Sequence, residues 1–151
     1  MTDKTFGTKK NDINYRECFG AYLVAIEAGT LHVICKDGKI RLPGGSTCGG
    51  DSHESVILRA CVDATGYDVS VDDYIADADL FNDEKQYHSI RTYYSGRFLE
   101  EIAPHNDPTI RHERLPLQDL DRLTFPIERW AVEQGLAMLR ADAHGCDDEG
   151  L

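Results

Sequence analysis

Read for its apolar and polar positions, the chain divides into strand-like and helix-like segments with clear punctuation. Residues 18–26 (CFGAYLVAI) form a nearly unbroken apolar run rich in strand formers, and 31–35 (LHVIC) repeats the pattern. Asp37-Gly38 then predicts a hairpin turn into 39–42 (KIRL). From Pro43 to Gly50 four of eight residues are glycine, which predicts a loop. Residues 52–65 (SHESVILRACVDAT) predict a helix that Asp51 or Ser52 caps and Gly66 closes, with Ile57, Leu58, Cys61 and Thr65 on its buried face. Strand patterns follow at 68–80 and 87–99, the second alternating Ser89/Arg91/Tyr93 with Ile90/Thr92/Tyr94. An extended piece near 110–115, a helical turn at Leu117–Leu120 and an amphipathic helix from Pro126 to Arg140 complete the series. Trp130, Val132, Leu136 and Leu139 form the apolar stripe of that last helix, which reads as core packing. Strands on both sides of a central helix, with a further helix at the end, predict an α/β or α+β sandwich whose mixed sheet lies between helices. The polar segment 1–15 and the acidic tail 142–151 are expected to fray, leaving one domain over 16–141.

Composition narrows the class. With 151 residues, 41% hydrophobic and 28% charged, the chain suits a single globular domain. Its longest apolar run, Cys18 to Ile26, is far short of the roughly 18 residues of a membrane helix, so no membrane partner is expected. Met1-Thr-Asp-Lys lacks the apolar segment of a secretory signal, and a cytoplasmic location is the expectation. Sixteen basic against 27 acidic residues give a net charge of -11, which repels polyanions and argues against a nucleic-acid polymer as partner. Five cysteines, odd in number and without a C-x-x-C pair, read as reduced thiols.

One segment carries chemistry: Leu42-Pro43-Gly44-Gly45, Asp51 after five residues, Arg59 after seven more, then Cys61, Asp63 and Gly66. A glycine-rich loop lets backbone approach a phosphate or a metal closely, because glycine has no Cβ and tolerates positive φ. The helix that follows would hold acids at 60, 63 and 64 as one compact oxygen cluster. Mg²⁺ takes such hard ligands, bridges them to substrate phosphates and activates a water for attack at phosphorus. The segment resembles the Nudix box, G-x5-E-x7-R-E-U-x-E-E-x-G-U, where U is bulky and apolar. Gly45, Arg59 and Gly66 match in type and spacing, Asp51 and Asp63 replace glutamates, and Cys61 and Tyr67 take the apolar positions. Thr5-Phe6-Gly7, Tyr15-Arg16 and Arg129-Trp130-Ala131-Val132 extend the likeness toward one bacterial branch of that family.

The resemblance implies a Nudix-type α/β/α sandwich and a Mg²⁺-dependent hydrolase of nucleoside diphosphates linked to another group. It places the metal at the Gly44 carbonyl, Asp63 and a distal acid. Arg59 would orient an acid of the cluster, and Asp51 would brace the loop. A homodimer is compatible with it. The sequence departs from the pattern in the cluster itself, where R-E-U-x-E-E reads Arg59-Ala60-Cys61-Val62-Asp63-Ala64. Two of three carboxylates are gone and the third is one methylene shorter; Val56, Ile57 and Tyr67 supply no replacement. Losing a single outer partner of a metal ligand costs about 10–100-fold, so losing two ligands costs more. Glu113 is the best-placed distal acid for the metal and for catalysis, with Glu100 and Glu101 next, although the commoner role of such acids is a solvated surface carboxylate.

The remaining candidates each have a plain alternative. Arg91 and Arg97 have guanidinium forks that suit phosphate, and surface solubility explains either equally well. With Arg91, the glycine pair Gly44–Gly45 and Asp51 make the phosphate-and-loop set. Tyr87, Tyr93 and Tyr94 suit base stacking or cross-strand packing. His53, His88, His105 and His112 are dispersed, with no metal spacing. Cys48 reads as an inert small residue, and Asp77-Ala-Asp79-Leu-Phe81 as a solvated strand end that fails as a calcium loop. Three functions remain: a hydrolase working with a reduced metal set, a binding module for a nucleotide or phosphorylated small molecule, and a scaffold. The expectation is a Nudix-type protein, nominally a hydrolase, whose catalytic centre is impaired.

Overall fold

The computed structural model describes residues 2–47, 50–105 and 107–149, with 142–149 by backbone alone. Its elements in chain order are β1 (Lys4–Phe6), β2 (Arg16–Val24), β3 (Ile26–Glu27), β4 (Thr30–Lys36), β5 (Lys39–Arg41), β6 (Gly44–Ser46), α1 (His53–Thr65), β7 (Tyr67–Asn82), β8 (Tyr87–Glu101) and β9 (Arg111–Pro116). A 3-10 turn at Leu117–Arg122 then leads to α2 (Pro126–Glu149). Five strands form a mixed sheet in the order β1-β7-β8-β2-β6, with β1 parallel to β7 and β2 parallel to β8. In a second sheet, β4 pairs with β3 and β5 along one edge and β9 along the other.

The five-stranded sheet is covered on both faces, which explains the apolar run of β2. Ala21, Leu23 and Ala25 point one way, to Val56, Ile57 and Cys61 of α1. Tyr22 and Val24 point the other way, toward Ile127, Ala131 and Val132 of α2. A strand buried on both faces loses the alternation a half-exposed one shows. The sandwich with a mixed sheet between helices is therefore as predicted. Along β8 the predicted alternation also holds: Tyr93 joins the α2 core and Tyr94 packs toward α1.

Helix α1 has the predicted start and stop. The Ser52 side chain accepts the Ser55 N–H at 3.1 Å. Gly66 closes the helix with φ +79°, and its carbonyl accepts N–H groups from Ile102 and Ala103. A Cβ at 66 would sit 2.2 Å from the Ala103 carbonyl oxygen, so only glycine fits. On the buried face Val56 joins Ile57, Cys61 and Thr65, while Leu58 is half-buried.

Several expectations are corrected. The N-terminal segment is tied down: β1 pairs with β7, Thr2 and Thr5 hydroxyls donate to Asp79 at 2.8 and 2.7 Å, and Phe6 packs edge-on against Trp130. Asp79 is accordingly buried rather than solvated, and it also holds His88 Nε2 at 2.7 Å. The glycine-rich loop contains a strand, β6, paired antiparallel with β2 at Gly20↔Ser46, Ala21↔Gly45 and Tyr22↔Gly44. Glycine permits that approach, since a Cβ at Gly44 would lie 2.3 Å from the Ala21 carbonyl oxygen. Helix α2 continues beyond Arg140 to Glu149, and Leu139, assigned to its buried stripe, is half-exposed. Cys48 lies outside the described residues. Among the described residues no helix is long and apolar enough to cross a membrane.

Candidate functional site

The turn from β6 into α1 is the segment singled out by sequence. The backbone of Gly45 faces helix α1, and a Cβ built on it would lie 3.9 Å from the Ala60 Cβ. Ala60 thus stands against the glycine turn where the resemblance calls for a carboxylate. Arg59 and Asp51 are both exposed and meet at 3.4 Å, so the arginine braces the loop acid. Asp63 is exposed on α1. Glu113 lies on β9, opposite Val33 of β4; it accepts from the Cys35 thiol at 3.4 Å and pairs with Arg111 at 3.4 Å. Burial, then the nearby Glu113, raises the Cys35 pKa.

Among the described residues no three His, Cys, Asp or Glu side chains converge to hold a metal. A resident Mg²⁺ does not fit this donor set, because of positions 60, 63 and 64 on α1 only Asp63 is a carboxylate and the other two are alanines.

On the opposite face of the sheet, beside the same glycine turn, a cleft of about 250 Å³ opens between β2, β6 and β8. Tyr22, Arg41, Ser46, Tyr87, Ser89 and Arg91 line it. The β2–β6 register sets Ser46 at its rim, and the β2–β8 register sets Arg91 beside Gly20. Such a volume is below the roughly 300–1,000 Å³ of pockets that engulf a drug-sized ligand, so it suits one end of an extended one.

Of the two cations that line this cleft, Arg41 and Arg91, Arg91 sits beside Gly20. Its guanidinium lies 5.1 Å from the centre of the Tyr22 ring, and its Nε donates to Ser89 Oγ at 3.1 Å. Behind it stands Glu128 of α2, with no exposed surface. Glu128 Oε1 accepts the Leu42 N–H at 3.0 Å, which ties α2 to the residue that opens the glycine turn. Its other oxygen has no hydrogen-bond partner among the described residues and lies 3.9 Å from Arg91 Nη1. Burial pushes the Glu128 carboxyl up to about 7 against the opposing pull of the Leu42 N–H, Arg91 and Arg41. Burial works against the Arg91 charge, but Tyr22, Tyr93 and Glu128 more than offset it and its pKa is raised. The Tyr93 hydroxyl is buried without a hydrogen-bond partner among the described residues, and burial raises its pKa.

The other candidates have local partners. Arg97 is exposed and pairs with Asp72 at 3.1 Å. Tyr94 donates to or accepts from His53 Nδ1 at 2.8 Å, and His105 Nε2 meets the Ile110 carbonyl at 2.7 Å. His112 is not isolated: its Nε2 lies 2.9 Å from Nδ1 of His32, whose Nε2 reaches Glu27 at 3.0 Å. The Glu27 carboxylate can only accept, so His32 donates from Nε2 and its Nδ1 accepts from His112 Nε2. Sequence spacing missed His32 and Glu128 alike. Glu128 looks like the polar edge of an amphipathic helix until the α2–β8 packing encloses it.

No family model matches the chain, and no curated protein matches it either. Solved structures do. A NUDIX hydrolase from Nitrosomonas europaea superposes with a TM-score of 0.72 at 14% identity, over 81% of this chain and 90% of that one. A MutT NUDIX hydrolase from Burkholderia pseudomallei gives 0.65 at 19% identity, over 79% and 98%. An ADP-ribose pyrophosphatase from Streptococcus suis gives 0.65 at 16% identity, over 82% and 92%. With the glycine turn, the capped helix and the mixed sheet in place, the chain carries the fold of the Nudix hydrolases.

Proposed function

We propose that this protein binds a nucleoside diphosphate derivative, or a related phosphorylated small molecule, across the glycine turn and the Arg91 cleft, and that it hydrolyses such a ligand slowly if at all. The observation that carries the reading is the contrast between the two sides of the turn. The cleft side presents Arg91 and Arg41 with two tyrosines and two serines, a cationic and aromatic lining in a chain of net charge -11. Guanidinium groups there suit phosphate, and tyrosine rings suit a base or sugar face. The α1 side keeps Asp63 and has lost the two acids that would complete a Mg²⁺ cluster. Retention of a phosphate-facing turn without its metal carboxylates favours holding the ligand over cleaving it.

In this reading Gly44 and Gly45 approach the phosphates, Arg91 neutralises them, and Asp51 with Arg59 stiffens the turn. Asp63 and Glu113 remain the candidate carboxylates for any Mg²⁺ the ligand brings with it. The test is a panel of nucleoside diphosphate derivatives with Mg²⁺, scored for saturable binding and for released nucleoside monophosphate. Binding with little release supports the proposal. Neither binding nor release across the panel would refute it, and fast release would refute its second half.

A further inference from the structure

The arrangement of Glu128 behind Arg91 has a consequence for how that cleft accepts an anion. We infer that Glu128 is a positioning residue which makes ligand binding proton-linked: an anion that settles on Arg91 is bound together with a proton taken up by Glu128. This rests on the cleft being the ligand site proposed above.

The geometry is that of a buried carboxyl sharing one cation with the ligand. Glu128 is fully enclosed, holds the turn through Leu42, and leaves Oε2 without a hydrogen-bond partner among the described residues, 3.9 Å from the guanidinium. Around it stand Arg91 and Tyr93 of β8, Arg41 of β5 and, over Arg91, Tyr22 of β2. Only Arg91 and Arg41 among these are cationic. With the cleft empty, Arg91 partly offsets an ionised Glu128. An arriving phosphate claims the same guanidinium and adds negative charge close to the carboxyl; both changes favour the neutral acid. The protonated carboxyl also gains a donor for its unpartnered oxygen, while Oε1 goes on holding the Leu42 N–H. Glu128 begins near the midpoint of this change, since burial already holds it at about 7.

Binding of an anion should therefore weaken with rising pH. If occupation of the cleft raises the Glu128 pKa by about one unit, affinity falls about tenfold between pH 6 and pH 9, and the protein takes up about 0.4 proton per ligand at pH 8. Loss of the Arg91–ligand contact would weaken binding at every pH and would not produce this slope.

ADP-ribose is a suitable probe, because each of its phosphates carries one ester and the shared anhydride, leaving a single strong acid group whose charge is constant over that range. Calorimetric titration with EDTA present, in buffers of different ionisation enthalpy, reads affinity and proton uptake together. The unmodified protein should show uptake and a falling affinity, and Glu128→Gln, which keeps the Leu42 acceptor, should show neither. Carboxyl-labelled glutamate followed by carbon NMR reads the same protonation in the unmodified protein and needs no variant to fold. Binding without proton uptake, or equal uptake by Glu128→Gln, would overturn the inference and leave the ligand site intact. No binding by either protein at millimolar ADP-ribose would overturn the ligand site and this inference with it.

Discussion

Glu128→Gln is the substitution whose effect on stability follows most directly from the structure. In the unfolded chain the glutamate titrates near 4.5, and in the folded protein burial raises it to about 7. The folded state therefore binds more protons than the unfolded state between those values, and stability falls as pH rises through that window. The full difference is worth about 3 kcal/mol, from the gap of roughly 2.5 units at about 1.4 kcal/mol each. Glutamine has the same shape, keeps an acceptor for the Leu42 N–H and carries no charge to desolvate. The variant should thus gain on the parent as pH rises and reach a constant margin above pH 7. Between pH 5.5 and pH 8 the margin widens by about 2 kcal/mol, or about 4–8 °C in Tm for a domain of this size. Urea unfolding followed by fluorescence of Trp130, the one tryptophan, measures it at each pH. A margin that is independent of pH would refute the reasoning, because it would mean that Glu128 is equally ionised in both states.

Other sites make independent predictions. Gly66→Ala forces a side chain to φ +79° and onto the Ala103 carbonyl, so it should lower Tm by at least about 4 °C in a thermal melt, a cost of about 2 kcal/mol or more. His112 is held down to about 4 by burial, then by His32, Arg114 and His105. Its ring should therefore stay neutral in NMR titrations until well below pH 6, with the proton on Nε2; stability tied to it is lost as pH falls from about 6.5 toward 4. Cys61 is fully buried with a thiol pushed up to about 12, so alkylation mapped by mass spectrometry should spare it in the native protein and label it in urea.

How far the sequence revealed this molecule depends on whether a feature is local. Helix α1 was legible almost to the residue, because Ser52 and Gly66 solve the helix-end problem with their own atoms. Strand β2 was legible in its nearly unbroken apolar run, and the structure adds that both of its faces are buried. What escaped were features made by partners far apart in the chain. Glycines at 44 and 45 suggested an irregular loop, yet they allow β6 to press against β2. Asp79 belonged to an acidic-looking stretch until Thr2, Thr5 and His88 surrounded it. The Cys35 and Arg111 contacts of Glu113 likewise depend on the pairing of β9 with β4, which no local pattern announces. At the glycine turn the alanines at 60 and 64 were plain in the sequence, whereas the Arg91–Glu128 arrangement on the far side of the sheet was not.

Whether the turn holds its ligand rather than cleaving it is read most directly from the rate of Mg²⁺-dependent ADP-ribose cleavage under single-turnover conditions, compared between the unmodified protein and the double variant Ala60→Glu, Ala64→Glu. Those changes place carboxylates on the face of α1 that meets the glycine turn. Cleavage by the unmodified chain should be slow, and the variant should gain in Mg²⁺ affinity and in rate. Fast cleavage by the unmodified protein, or a variant that gains in neither, would contradict that reading of the turn.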